Sequence, residues 1–271
     1  MLIEIAGIHY HTHRKGAGSP LVCLHGFSEN INTWNCLQLE NCELILVDLV
    51  GHGASDKPQA GKYYRVNIML RHLHKLMNRL GLRKYSLLGY SLGGRIALAY
   101  ALAYPQEVDK LILESASYGE CGWLNRLKRR RSDSYLARSI CRNGIEWFNA
   151  YWSDLSIFTS QKNLPAATGK EIRERRMQNT AHALANTLLG SGQGSFPCLK
   201  NKIAELSMPV LYISGEHDEK YRQAGHEFSQ LNPHIKHEII KGVGHNTHLE
   251  DGQAFTDILQ KFLSIKYAKK V

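Results

Sequence analysis

Apolar positions along this chain follow two alternating rhythms. Leu21-Val22-Cys23-Leu24, Leu44-Ile45-Leu46-Val47, Tyr85-Ser86-Leu87-Leu88 and Pro209-Val210-Leu211-Tyr212-Ile213 are short, nearly unbroken apolar runs. Runs of that length, bounded by glycine or polar residues, read as strands buried on both faces. The pattern predicts a strand pair over 2–10 and strands over 21–25, 44–48, 85–89 and 108–114. It predicts helices over 66–80 and 92–103. The alternation then stops. Residues 124–142, 144–152, 170–178 and 182–189 all read as helices. It resumes at Met208 with strands over 209–214 and 237–240, and closes with a helix over 251–267. Strands alternating with helices imply an α/β fold, a mostly parallel, doubly wound sheet with helices on both faces. The expected organisation is a core in two parts, 1–116 and 206–271, with a helical insertion over 117–205.

The most specific local signal lies where a predicted strand meets a predicted helix. Gly89-Tyr90-Ser91-Leu92-Gly93-Gly94-Arg95 has the G-x-S-x-G pattern in a strand–turn–helix setting. Glycine on both sides permits a sharp turn, which exposes the serine hydroxyl at a helix N-terminus. A nucleophilic serine needs a base, and the base needs an orienting acid. Gly215-Glu216-His217-Asp218 follows one predicted strand, and Gly244-His245-Asn246 follows the next. Ser91, Asp218 and His245 thus stand in the order of an α/β-hydrolase triad. Glu216 and Glu219 flank the acid, and the G-x-x-D spacing favours Asp218. Leu24-His25-Gly26-Phe27 ends an earlier strand. In this arrangement the Phe27 and Leu92 amides would form an oxyanion hole. Asp48-Leu49-Val50-Gly51-His52-Gly53-Ala54-Ser55 fits the D-x-x-G-H-G-x-S loop of the same fold.

Composition narrows the setting. A chain of 271 residues with 43% apolar content can bury one sizeable core. No run reaches the ~18 apolar residues of a membrane span, so stable membrane insertion is not expected. Met1-Leu2-Ile3-Glu4-Ile5 does not read as a signal peptide. Six cysteines lack zinc-like C-x-x-C spacing. The expectation is reduced thiols in a cytoplasmic protein, with no metal. The formal net charge is +10, and Arg126, Lys128, Arg129, Arg130, Arg131, Arg138 and Arg142 cluster against a single acid, Asp133. Arg173, Arg175 and Arg176 form a second cluster. Nucleic acid is not the expected partner, because the basic run lacks interleaved aromatic residues and a nucleic-acid motif. Arg95 lies one helical turn beyond Ser91 and can share its face. A guanidinium there suits a substrate carboxylate.

With these residues in place, the chain resembles the 2-succinyl-6-hydroxy-2,4-cyclohexadiene-1-carboxylate synthases, α/β-hydrolase-fold lyases of menaquinone biosynthesis. The resemblance rests on His25-Gly26-Phe27, the stretch from Gly89 to Arg95, and Leu111-Ile112-Leu113-Glu114-Ser115. It continues through Trp152 with Phe158, Arg173 to Asn179, and Leu184 to Gly194. It ends with the two loops that carry Asp218 and His245. The tyrosine before the serine, the arginine four after it and the pattern of the insertion are its specific part. Val50 departs from it, standing where the family has proline. The resemblance implies Ser91, Asp218 and His245 as triad, and Tyr90, Arg95 and Trp152 as pocket residues. It also implies two carboxylate-binding arginines in a lid, falling on Arg129, beside Arg130 and Arg131, and on Arg176. The implied substrate is a small tricarboxylate that loses pyruvate, with no cofactor. An ester, thioester or C–C bond hydrolase would use the same triad, and the arginine set discriminates between the two. Oligomeric state is not legible.

Overall fold

In the computed structural model, residues 1–265 are described. Eight strands form one sheet in the order β1-β2-β4-β3-β5-β6-β7-β8. They are β1 (Leu2–Ile5), β2 (Ile8–Gly16), β3 (Ser19–Leu24), β4 (Cys42–Val47), β5 (Tyr85–Tyr90), β6 (Val108–Glu114), β7 (Val210–Gly215) and β8 (Ile235–Ile240). Only β1 with β2 and β2 with β4 pair antiparallel; every other pair is parallel. All of β5 and β7 is buried, as their unbroken apolar runs require in the middle of a sheet covered on both sides. The carboxyl ends of β3, β5, β7 and β8 therefore share one edge. The loops that follow them carry Phe27, Ser91, Asp218 and His245.

Helices α1 (Val66–Arg79) and α2 (Leu92–Ala103) follow β4 and β5. Val66, Met69, Leu73, Leu76 and Met77 recur at helical spacing and bury the core face of α1. They join Ile96 and Leu98 of α2 and Phe228 of α6 (Glu219–Leu231) on one side of the sheet. Trp34, with Phe255, Leu259 and Phe262 of α8 (Gly252–Ser264), packs the other side. A short α7 (Thr247–Glu250) precedes α8. The final helix ends at Ser264; the expected extension over 266–267 lies outside the described residues.

Between β6 and β7 the chain forms α3 (Trp123–Ser153), α4 (Ala166–Met177) and α5 (Ala181–Ser191). The two helices expected over 124–142 and 144–152 run together, with one non-helical residue, Gly144 at φ 83°, between them. Glycine takes that conformation without a Cβ penalty, so the break falls where the pattern placed it. Ala137, Ile140 and Phe148 of α3 pack on Leu184 and Leu188 of α5, a small core of their own that Phe27 and Trp152 adjoin.

The cysteine expectation needs correction. Cys121 and Cys198 form a disulfide with Cα atoms 5.1 Å apart, while Cys23, Cys36, Cys42 and Cys141 are free. Spacing could not show the pair, because its members stand 77 positions apart. The chain's path brings them together: the two roots of the insertion touch, with the Leu199 N–H donating to the Tyr118 carbonyl at 2.8 Å. A bridge closing so long a loop restricts the unfolded chain and typically stabilises by about 2–4 kcal/mol. The doubly substituted Cys121→Ser/Cys198→Ser chain should lose stability on that scale in urea unfolding. An unchanged unfolding midpoint would show that the bridge contributes nothing.

Candidate active site

Ser91 sits between β5 and α2 with φ 50° and ψ −102°. A non-glycine residue in that conformation costs about 1–3 kcal/mol and persists only where its surroundings enforce it. Here they do. The Ser91 N–H donates to the Glu114 carbonyl at 2.9 Å, and its carbonyl accepts from the Arg95 N–H at 3.1 Å. At Gly93 a Cβ would collide with the carbonyls of Leu24 and His25. Only glycine lets α2 begin against the end of β3. That close approach is what brings the Leu92 amide to the loop holding Phe27.

The three triad candidates meet. His245 Nε2 lies 3.1 Å from Ser91 Oγ, and His245 Nδ1 lies 2.5 Å from Asp218 Oδ2. An ionised carboxylate can only accept, so Nδ1 carries the proton and Nε2 is left to accept from the serine hydroxyl. Asp218 and His245 are buried, while Ser91 keeps partial exposure. Tyr90, Tyr221 and Phe158 surround the imidazole, with ring centroids 5.4, 4.6 and 5.9 Å away. Trp152 lies one ring further out, 5.9 Å from Phe158 and 5.2 Å from Phe27.

Behind Phe27 stands a pair of buried histidines. His25 Nε2 accepts from the Leu49 N–H at 3.0 Å, so its Nδ1–H donates to the Gly26 carbonyl at 2.7 Å. The neutral ring thereby fixes the peptide that leads into Phe27. Among the described residues neither the Phe27 nor the Leu92 amide donates to a backbone carbonyl. Neither donates to a side chain, so both N–H groups lack an acceptor among those residues.

Sequence reasoning missed a second buried constellation. Glu114, at the end of β6, accepts from the Thr247 hydroxyl at 2.7 Å, the His248 N–H at 3.0 Å and His248 Nδ1 at 2.7 Å. His248 Nε2 lies 2.7 Å from Thr33 Oγ1, and the ring packs tilted against Trp34, with centroids 4.4 Å apart. This network anchors the segment just past His245. Its one sequence signal was an acid at the end of a buried apolar strand.

The arginines divide into three kinds. Arg175 is neutralised, its Nε bonded to buried Glu29 at 2.9 Å. Arg129 is half exposed and its Nε bonds Asp133 at 2.8 Å; Asp133 also accepts from the Gly194 N–H at 3.0 Å. Arg95 and Arg176 are buried without an acidic partner among the described residues. Arg95 reaches only the Ser191 carbonyl, at 3.5 Å, and lies over the Phe196 ring. Arg176 reaches Ser153 Oγ at 2.6 Å and lies over Phe158. Burial pulls both guanidinium pKa values down, yet arginine stays charged in proteins. The Nε atoms of both have no hydrogen-bond partner. Asp133 and Glu29 act on them only from a distance, and two buried cations without a direct ion pair near a serine–histidine pair are suited to an anionic guest. Among the described residues no cluster of histidine, cysteine, aspartate and glutamate could hold a metal.

The buried histidines have a consequence for acid stability. Burial, reinforced by repulsion from His25, pushes His52 down to about 3. An unfolded histidine takes its proton near pH 6.5, so between those values the unfolded chain binds more protons. Stability is therefore complete above about pH 6.5 and falls as the pH drops toward 3. Urea unfolding at pH 5 should show a loss of at least about 2 kcal/mol relative to pH 7. A flat profile over that interval would contradict a buried, neutral His52.

Comparisons with known proteins place the chain in a family. Residues 19–252 match the alpha/beta hydrolase fold family. A Bacillus subtilis protein, whose own name as a 2-succinyl-6-hydroxy-2,4-cyclohexadiene-1-carboxylate synthase is provisional, is 37% identical over 95% of this chain and 96% of its own length. A Salmonella arizonae protein of that name is 31% identical over 92% of this chain and 96% of its own. The solved structure of MenH from S. aureus superposes with a TM-score of 0.88 at 32% identity, covering 94% of this chain and 97% of that one. The chain belongs to the 2-succinyl-6-hydroxy-2,4-cyclohexadiene-1-carboxylate synthase family, lyases built on the α/β-hydrolase fold.

Proposed function

We propose that this enzyme eliminates pyruvate from 2-succinyl-5-enolpyruvyl-6-hydroxy-3-cyclohexene-1-carboxylate in menaquinone biosynthesis, with Ser91 as the base. The observation that carries the substrate assignment is the pair of buried arginines without acidic partners, Arg95 and Arg176. The substrate has three carboxylates, and a neutral ester would leave those cations desolvated for nothing. Arg129, oriented by Asp133, supplies a third cation at the rim. Segment 117–205 acts as the lid that carries Arg129, Trp152 and Arg176. Tyr90 and Trp152 give the ring its apolar walls.

The chemistry uses the triad without acylation. Ser91 Oγ removes the ring proton beside the succinyl ketone while passing its own proton to His245 Nε2. Asp218 stabilises the imidazolium that forms. The carbon–hydrogen electron pair moves toward the ketone oxygen, where the Phe27 and Leu92 amides receive the charge. The charge then returns, the carbon–oxygen bond to the enolpyruvyl group breaks, and the departing enolate takes up one proton to become pyruvate while the His245 imidazolium gives one up, restoring the neutral serine–histidine pair. General-base catalysis contributes about 10²–10⁴-fold, and one oxyanion donor about 3 kcal/mol. No step calls for a cofactor.

A coupled assay of pyruvate release and conjugated-diene absorbance tests the proposal. The native chain should produce both signals together, and Ser91→Ala should lose both. Arg95→Ala should lower kcat/KM by roughly 10²-fold, because it leaves a desolvated carboxylate unpaired. Full activity in Arg95→Ala would defeat the carboxylate clamp. Ester turnover by a folded chain that releases no pyruvate would identify a hydrolase instead.

A further inference from the structure

The N-terminal half of α3 turns two kinds of side chain outward at once. Its inner face is apolar and committed: Ala137 and Ile140 are buried against α5. Its outer face exposes Trp123 (74%), Leu124 (52%), Leu127 (40%) and Tyr135 (69%). Among them stand Lys128, Arg130, Arg131, Arg138 and Arg142, all exposed. The only acid between Trp123 and Arg142 is Asp133. It is buried and already bonded to Arg129 and Gly194, so it does not neutralise the outer face.

The basic surface extends past the helix. Arg130 also lines a cleft of about 890 Å³ with Lys62, Arg65 and Lys202 around an apolar floor that includes Leu70 and Leu102. No acidic residue lines that cleft. It contains none of Ser91, Asp218 and His245 and is separate from the chemistry already described.

We propose that this face of α3, with the adjoining basic cleft, docks the enzyme peripherally on an anionic lipid bilayer. Cations attract such a surface electrostatically, and outward indole, phenol and leucine side chains enter the headgroup–acyl boundary. Cations and projecting apolar groups on one helix face match that pair of requirements. A second copy of the chain fits poorly, since it would set the same cations against each other. Nucleic acid would engage the cations and gain little from Leu124 and Leu127. No helix among the described residues can cross a membrane, so the association is superficial and reversible.

Sedimentation with lipid vesicles tests it, using the full chain. Vesicles with about one-third phosphatidylglycerol should retain the protein at low salt, and pure phosphatidylcholine vesicles should not. Raising the salt should release it. Trp123 fluorescence, read as the difference between native chain and Trp123→Phe, should shift to the blue on binding. Lys128→Gln/Arg131→Gln/Arg138→Gln should reduce retention more than fivefold, and so should Leu124→Ser/Leu127→Ser. Pyruvate release in vesicle-free solution should be unchanged in both, which also shows that they fold. Three results would overturn the proposal: equal retention by neutral and anionic vesicles, retention on duplex DNA without vesicle binding, or concentration-dependent dimerisation abolished by the leucine substitutions.

Discussion

The backbone of Ser91 is the constraint on which the rest of the site depends. Its φ of 50° turns the chain from β5 into α2 within a single residue. The Glu114 carbonyl on β6 and the first turn of α2 hold it there. Once the turn is fixed, the hydroxyl projects from the carboxyl edge of the sheet. The Leu92 amide, first in its helix, then lacks an intrahelical acceptor. The same β6 strand supplies the Glu114 carboxylate, which anchors the segment after His245. One strand end thus secures both halves of the serine–histidine contact, through its backbone on one side and its side chain on the other.

Much of this was legible in the sequence because local chemistry enforced it. Gly93 has no tolerable substitute where α2 meets β3, so the G-x-S-x-G pattern marks the turn directly. The unbroken apolar runs of β5 and β7 announce strands covered on both faces. Ser91 and Asp218 could be named from their positions after those strands and His245 from its place after β8, and the structure brings the three within hydrogen-bonding distance. What stayed hidden depends on contacts between distant segments. Cys121 and Cys198 meet only because the insertion returns to its own root. Glu114 looked like the polar end of a strand, and its bonds to Thr247 and His248 span more than 130 residues. Arg175 and Arg176 are adjacent in sequence, yet only Arg175 finds Glu29. Spacing cannot separate a neutralised guanidinium from one that awaits a partner.

Charge is distributed by the same logic. A net charge of +10 is uninformative as a total. Its parts sort by burial into a paired structural arginine, two unpaired buried ones near the serine, and an exposed set along α3. Desolvation raises the cost of leaving Arg95 and Arg176 unpaired and sharpens their preference for anions. The exposed set bears no such cost and acts by long-range attraction. On the function proposed above, that sorting is what would turn a fold that hosts many hydrolases toward a tricarboxylate.

The central claim is that Ser91 moves a proton and forms no bond to carbon. The most direct measurement is the intact mass of the protein, quenched in acid during steady-state turnover of the enolpyruvyl substrate. The account predicts the mass of the unmodified chain throughout. An added mass that accumulates during turnover and maps to Ser91 would contradict it and make the serine a nucleophile.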